Sequence, residues 1–345
     1  MVLPTVHGAY ADTIYSRLTT DKPVLDGLIN VTEWKDANVY MGVGENHIFD
    51  VYLMHGEDHF YIGIRVADPT ENLSDTINLF FDEGDDGGHG SGSGDGVFKA
   101  NQEDWKGITG DGKLIDGYWD TKNGHSDFWY PGLGISVDFE AAIAYHIDHW
   151  EAEFKIPFQG NDGDSYDPSD LNTVPCCDSP GLLFALEENA RFITYPEGAD
   201  YHDPSKYLTL VFDAGPPTVS EVDSSPEQPQ PGDAVTIKAN VRDEDSGVEM
   251  VTLLYSIDGG STWTSLPMSR STGSTYTATM PGEPDGTTVQ FKVEAKDNAG
   301  FTIETTTTSY GVHAPTSAIP GFPVEAILAG IAMTALVLCA RKKPK

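Results

Sequence analysis

The chain has 345 residues, 39% hydrophobic and 10% aromatic, which is enough apolar mass for more than one packed core at ~100–200 residues per domain. Its formal net charge is −34. That excludes nucleic acid as a partner, because phosphate binding needs clustered Lys and Arg; it fits cation binding, a salty habitat or an exposed surface protein kept soluble by charge.

The N-terminal segment, residues 1–21, opens MVLPTVHGAYAD. It lacks the basic start and the apolar run of ~7–15 residues of an export signal. Ala9-Tyr10-Ala11 still matches the small-x-small pattern at which such signals are cut, so the expectation is a remnant of a signal peptide to about residue 11 and a mature start near Asp12. Asn30-Val31-Thr32 and Asn72-Leu73-Ser74 are glycosylation sequons for an exported chain. Strands are predicted at His47–Met54, His59–Ala67, Thr76–Phe81, Ile135–Phe139, Ala142–Ile147, Trp150–Lys155, Gly181–Glu188 and Tyr207–Phe212, from alternation or β-branched and aromatic enrichment between turn signals. Trp34 and Trp150 are assigned to the core.

The predicted strand Thr76–Phe81 runs into Asp82, Glu83, Asp85 and Asp86, then a Gly/Ser/Asp tract that includes Asp95. Carboxylates crowded at a strand end repel one another unless a cation sits among them, and glycines let carbonyls turn inward, which is calcium chemistry. The alternative is a solvated acidic loop. A second acidic cluster, Asn161-Asp162-Gly163-Asp164 with Asp167 and Asp170, has similar chemistry. Between residues 98 and 130, in a stretch read as rich in loops, come Trp105, Trp119 and Trp129. Rings at a surface stack on the C–H faces of sugars while carboxylates and amides take hydroxyls. Trp119 and Trp129 flank TKNGHSD, which reads as a turn, with Asp120, Asn123 and Asp127 between them as acceptors. Core packing is the competing reading for each ring. The chain has three cysteines; Cys176 and Cys177 are either a strained vicinal disulfide or two thiols, and no spacing suits zinc.

Gly215-Pro216-Pro217 marks a break. Residues 216–310 carry predicted strands at Ala234–Val241, Met250–Ser256, Ser274–Met280, Thr288–Ala295 and Thr302–Thr306, separated by Asp/Gly/Asn turns, a spacing that suits an immunoglobulin-like or fibronectin-like sandwich of ~100 residues. Residues 311–318 read as a stalk. Ile319–Ala340 is apolar apart from Glu325 and precedes Arg341–Lys345. About 20 apolar residues span a bilayer and basic tails stay cytoplasmic, so the expectation is a single-pass protein of the cell membrane with its N-terminal units outside. The fold class expected is all-β: two β-sandwich domains in tandem plus one C-terminal transmembrane helix.

Pro23–Ala37 (PVLDGLINVTEWKDA), Val51–Thr70, Asp75–Asp86 and the late EAEFKIPF (Glu151–Phe158) occur in an order that resembles the family-nine carbohydrate-binding modules and the wider DOMON-like sandwich group over residues 22–215. The resemblance implies a β-sandwich, structural calcium and a ligand on one face. A haem-binding branch of that group implies b-type haem instead, for which Met54 with His146 or His149 is the axial pair on offer. Ser246–Trp263 and Lys296–Gly300 resemble bacterial and archaeal immunoglobulin-like repeats, and the C-terminal anchor resembles those of archaeal surface proteins. No nucleophile elbow, HExxH or P-loop is present. The reading is therefore a non-enzymatic, membrane-anchored extracellular protein that binds polysaccharide or glycan. Its alternatives are a surface electron-transfer domain and a structural or adhesive surface protein.

Overall fold

A computed structural model of the chain describes residues 5–7, 12–68, 72–82, 102–120, 125–127, 137–158, 179–188, 191–201 and 203–315. Among these residues the chain is all-β, apart from single 3-10 turns at Glu45–His47 and Pro204–Lys206. Residues 319–340, Arg341–Lys345 and the Cys176-Cys177 pair lie outside the described residues; among the described residues no helix is long and apolar enough to cross a membrane.

The first unit comprises β1 (Thr5–His7), β2 (Thr13–Leu18), β3 (Asn38–Val43), β4 (Phe49–His55), β5 (His59–Val66), β6 (Thr76–Asp82), β7 (Gln102–Thr109), β8 (Leu114–Asp120), β9 (His125–Asp127), β10 (Glu140–Tyr145), β11 (Trp150–Pro157), β12 (Gly181–Glu188), β13 (Arg191–Tyr195) and β14 (Leu208–Asp213). The ladder runs β10-β11-β5-β4-β2-β14-β12-β6-β7-β8-β9, with β3 beside β4 and β13 beside β12. This path folds back on itself. Phe60, Ile62 and Ile64 of β5 and Trp150, Ala152 and Phe154 of β11 meet Leu79 and Phe81 of β6 and Leu182 and Phe184 of β12 in one core. Each of the large side chains among them contributes about 1.5–3 kcal/mol by leaving water. β2 is the seam between the two halves: it pairs in parallel with β14 over Thr13–Arg17 and with β4 at Arg17↔Met54 and Leu18↔His55. β1, inside the segment read as a leader remnant, pairs in parallel with β3 at Thr5↔Asn38.

β6 is buried at every position because both of its faces are covered. A strand with no wet face need not alternate, which is why Leu79, Phe80 and Phe81 follow one another and why Thr76, Asn78 and Asp82 are buried as well. Two expectations need correction. The stretch read as loop-rich holds β7 and β8, which extend the sheet from β6 as an antiparallel meander. The run predicted at Ile135–Phe139 is not strand over residues 137–139.

The segment before β3 lies over the outer face of β4, β5 and β11. Glu153 and Glu151 point to that face because Trp150, Ala152 and Phe154 point to the core, and both carboxylates are buried. Glu153 accepts the backbone N–H groups of Asp26 (3.0 Å) and Gly27 (2.8 Å) and the Trp34 indole N–H (2.8 Å). Glu151 accepts the Ile29 N–H at 3.0 Å and the Arg65 guanidinium at 2.8 and 2.6 Å. Burial pushes the Glu153 carboxyl above its ordinary range, against the pull of its three donors. Two glycines make room. Gly27 sits at φ +82°, where a Cβ would lie 2.4 Å from the Ile143 carbonyl carbon, and at Gly63 it would press on the Trp34 ring and Ile29. The Asp-Gly…Glu-Trp motif and the EAEF motif are thus two halves of one latch. Trp34 and Trp150 are core, as the sequence reading held.

The second unit comprises β15 (Thr218–Ser225), β16 (Val235–Arg242), β17 (Val248–Ser256), β18 (Thr264–Pro267), β19 (Ser269–Thr272), β20 (Thr275–Met280), β21 (Thr288–Asp297), β22 (Thr302–Glu304) and β23 (Thr308–Gly311). A four-stranded sheet, β15-β16-β20-β19, packs against a five-stranded one built around β17-β21. The inward row of β21 is Val289, Phe291, Val293, Ala295 and then Asp297.

Candidate functional site

The residues proposed for stacking and for calcium fall in different places. Trp105, on β7, is 3% exposed: its ring stacks on Phe80 at 5.6 Å and its indole N–H donates to Asn78 Oδ1 at 2.9 Å. That corrects its reading as a ring open to ligand, since one face is occupied and its polar edge is satisfied. Trp119, Asp120 and Asp127 belong to a β8–β9 hairpin in which Trp119 pairs with Ser126 and Asp120 with His125. Residues 121–124 of the turn read between Trp119 and Trp129, Asn123 among them, and Trp129 itself lie outside the described residues. Asp82 ends β6, is 1% exposed and pairs with Gly181, while Glu83, Asp85, Asp86 and Asp95 lie outside the described residues.

What the fold does bring together is an aromatic row on the outer face of β12, β6 and β7. Trp105 stacks on Phe80, Phe80 on Tyr201 (5.3 Å, 20°), and Tyr201 meets Phe192 at 4.8 Å. Leu183, Ala185 and Ile115 floor it. Burial deepens towards Trp105 and relaxes towards Tyr201 and Phe192, which are half-buried. Tyr201 is held from below by the Tyr207 hydroxyl, which donates to its carbonyl at 2.8 Å. Burial, with Asp200 and Glu187 nearby, raises its phenol pKa, so the hydroxyl stays protonated. A cleft of about 590 Å³ begins at Ala199 and Tyr207, residues shared with the row, and is bordered by Glu197, Asp200, Asp203 and Lys206. An apolar step leading into a rim of carboxylates, an ammonium and a hydroxyl suits a ligand with both C–H faces and hydroxyls. Sequence reasoning missed Phe192, Tyr201 and Asp200, although FITYPEGADYHDP carries aromatics on either side of a Pro/Gly turn with acids.

Among the described residues two clusters offer three metal-donor side chains each: His146, His149 and Glu151, and Asp213, Asp243 and Asp297. In the first the imidazoles stack at 4.4 Å, but Glu151 is already held by Arg65, whose positive charge would repel a metal ion. The haem ligand pair does not assemble. Met54 is fully buried against Trp34, Ala37 and Tyr61 and lies level with Lys155 of β11. His149 lies beyond Trp150, roughly 17 Å or more along the strand at ~3.3 Å per residue. No single iron bridges that distance.

No protein-family model matches the chain, and no curated protein matches it. Among solved structures it is similar to a family-nine carbohydrate-binding module from Caldicellulosiruptor kristjanssonii in complex with glucose (17% identity, 59% of this chain and 96% of that one, TM-score 0.37). The same module in complex with cellotriose matches at 16% identity over 59% of this chain and 94% of that one, TM-score 0.35. An amphioxus IgVJ-C2 molecule matches at 11% identity over 73% of this chain and 96% of that one, TM-score 0.24.

Proposed function

We propose that the first unit binds carbohydrate on the outer face of β12, β6 and β7, and that the chain is held at a cell surface by Ile319–Ala340 with Arg341–Lys345 on the cytoplasmic side. The observation that carries the binding reading is the graded aromatic row. Trp105 and Phe80 are its buried footing, and Tyr201 and Phe192 are its half-buried end, set beside the cleft of Glu197, Asp200, Asp203 and Lys206. The order of motifs resembling family-nine modules supports the same reading. No chemistry beyond binding is proposed: the rings supply stacking area, the carboxylates accept sugar hydroxyls and Lys206 donates to them.

Affinity electrophoresis of the full chain in gels containing a panel of soluble polysaccharides tests this. At least one should retard the wild type, and Tyr201→Ala and Phe192→Ala should abolish the retardation while costing only about 1 kcal/mol of stability each. Trp105→Ala should cost about 3–5 kcal/mol, as a core ring does. Retardation that survives in both Tyr201→Ala and Phe192→Ala would sink the assignment of this face.

A further inference from the structure

Three carboxylates converge where the first unit hands over to the second. Asp213 is the last residue of β14, ahead of the Ala214-Gly215-Pro216-Pro217 linker; Asp243 follows β16; Asp297 ends β21. Asp297 fills the slot after Ala295 in the inward row, where the pattern calls for an apolar side chain. One oxygen from each of the three lies within 4.8 Å of the others. That is about the widest separation at which two oxygens, each ~2.4 Å from a shared calcium ion, still touch it.

Asp213 and Asp297 are fully buried, and the Oδ2 atom of each has no hydrogen-bond partner. Their other oxygens are spent locally: Gly215 N–H donates to Asp213 Oδ1 at 2.9 Å and Phe301 N–H to Asp297 Oδ1 at 2.8 Å. Asp243 Oδ1 accepts the Gly247 N–H at 2.6 Å and the Ser246 hydroxyl at 3.4 Å. The two loops that carry Asp243 and Asp297 are tied together by the Asn298 amide, which donates to the Ser246 carbonyl at 2.8 Å. Buried acceptors without donors are costly unless something charged meets them.

The nearest cationic side chain does not fill that role. Arg17 pairs with Asp213 along the β2–β14 ladder, but its guanidinium lies 4.0 Å over the Phe301 ring and its Nε has no hydrogen-bond partner. Its charge reaches Asp213 and Asp297 only through space. Asp245, whose Oδ2 accepts the Ala214 N–H at 3.2 Å, adds a fourth negative charge nearby. Burial and this mutual repulsion raise the pKa of both buried aspartates.

We propose that Asp213, Asp243 and Asp297 bind a calcium ion that fastens the first unit to the second. The donor set is all oxygen, which selects a hard cation over zinc, copper or nickel. Calcium accepts 6–8 oxygens in irregular geometry, whereas magnesium demands a near-ideal octahedron at shorter distances. One ligand comes from the end of the first unit and two from turns of the second, so the ion closes a bridge across the Gly-Pro-Pro linker. This is independent of the sugar face and of the acidic tract after β6.

The test uses the full chain stripped by a chelator. Isothermal titration with calcium and, separately, with magnesium is combined with timed papain cleavage at residues 213–218. Calcium should bind the wild type and slow cleavage of the linker. Asp243→Asn, on a half-buried side chain that leaves folding intact, and Asp297→Asn should each weaken calcium more than about tenfold and lose the protection. Asp86→Asn should leave the linker's protection unchanged. If Asp297→Asn does not fold, Asp243→Asn decides alone. Unchanged calcium affinity in Asp243→Asn, cleavage indifferent to calcium, or magnesium binding as tightly as calcium would each overturn the proposal.

Discussion

Replacing Glu153 by alanine tests whether the segment before β3 is truly latched to the sheet. The wild-type carboxylate is fully buried and takes three donors, two from backbone and one from the Trp34 indole. A hydrogen bond to a charged acceptor contributes about 1.5–3 kcal/mol, so three amount to at least about 4.5 kcal/mol. Relief of the desolvated charge, visible in the raised pKa of Glu153, offsets part of this. The net loss should be about 3 kcal/mol, which lowers the melting temperature of a unit this size by roughly 6–12 °C. Glu153→Gln keeps one acceptor and should lose about half as much. The assay is denaturant unfolding of the full chain, followed by the fluorescence of Trp34 and its neighbours. A Glu153→Ala loss below about 1 kcal/mol, inside the usual scatter of surface changes, would refute the latch.

Gly27→Ala should cost about 3 kcal/mol or more, because a positive φ is joined by a backbone clash at 2.4 Å. Gly198→Ala, with a similar φ and open space, should cost only about 1–2 kcal/mol; equal losses on thermal melting would remove the packing argument. Lys106 is fully buried with its ammonium 2.6 Å from Asp116 and 2.9 Å from Asp138. Lys106→Met leaves two buried carboxylates unneutralised and should destabilise by about 3–5 kcal/mol in urea melts; a loss below about 1 kcal/mol would contradict it. His55 is buried beside the Ser16 hydroxyl, and burial lowers its pKa to about 4. The unfolded chain therefore takes a proton there before the folded one does, and stability falls as pH drops from about 6.5 towards 4, by about 3 kcal/mol in all. The difference between wild type and His55→Gln across that range isolates the effect; parallel pH profiles would contradict it.

How far the sequence disclosed this architecture depended on what each strand faces. β5, β11, β12, β16 and β21 alternate or run apolar because one or both faces meet a core, and they were found close to their observed bounds. β7 and β8 were not found. Their inward positions include Lys106 and Asp116, which neutralise each other in the interior, and a buried ion pair looks like a surface to a periodicity argument. Glu151, Glu153 and Asp297 are likewise polar letters in places that are dry, and nothing in the sequence marked them as buried. The aromatic row proposed for binding takes a ring from β6, one from β7, one from β13 and one from the following loop, and nothing local in the sequence joins those four. Trp34 and Trp150 were legible because bulky rings beside strand starts seldom stay wet.

The seam strand β2 also fixes the order of events in making this protein. Among the described residues Thr13 pairs with Thr209 alone, so the first half of one of the earliest strands to leave the ribosome must wait for the last strand of its unit. At ~5–20 residues per second that wait is roughly ten to forty seconds. Throughout it, β2 has only its two pairs with β4, Arg17↔Met54 and Leu18↔His55, and the edge from Thr13 to Ser16 that β14 will cover stays open. The unit therefore closes as a whole and late, with the slow kinetics of long-range pairing. A nascent chain stalled before residue 209 would expose a half-built sandwich to any strand that met it.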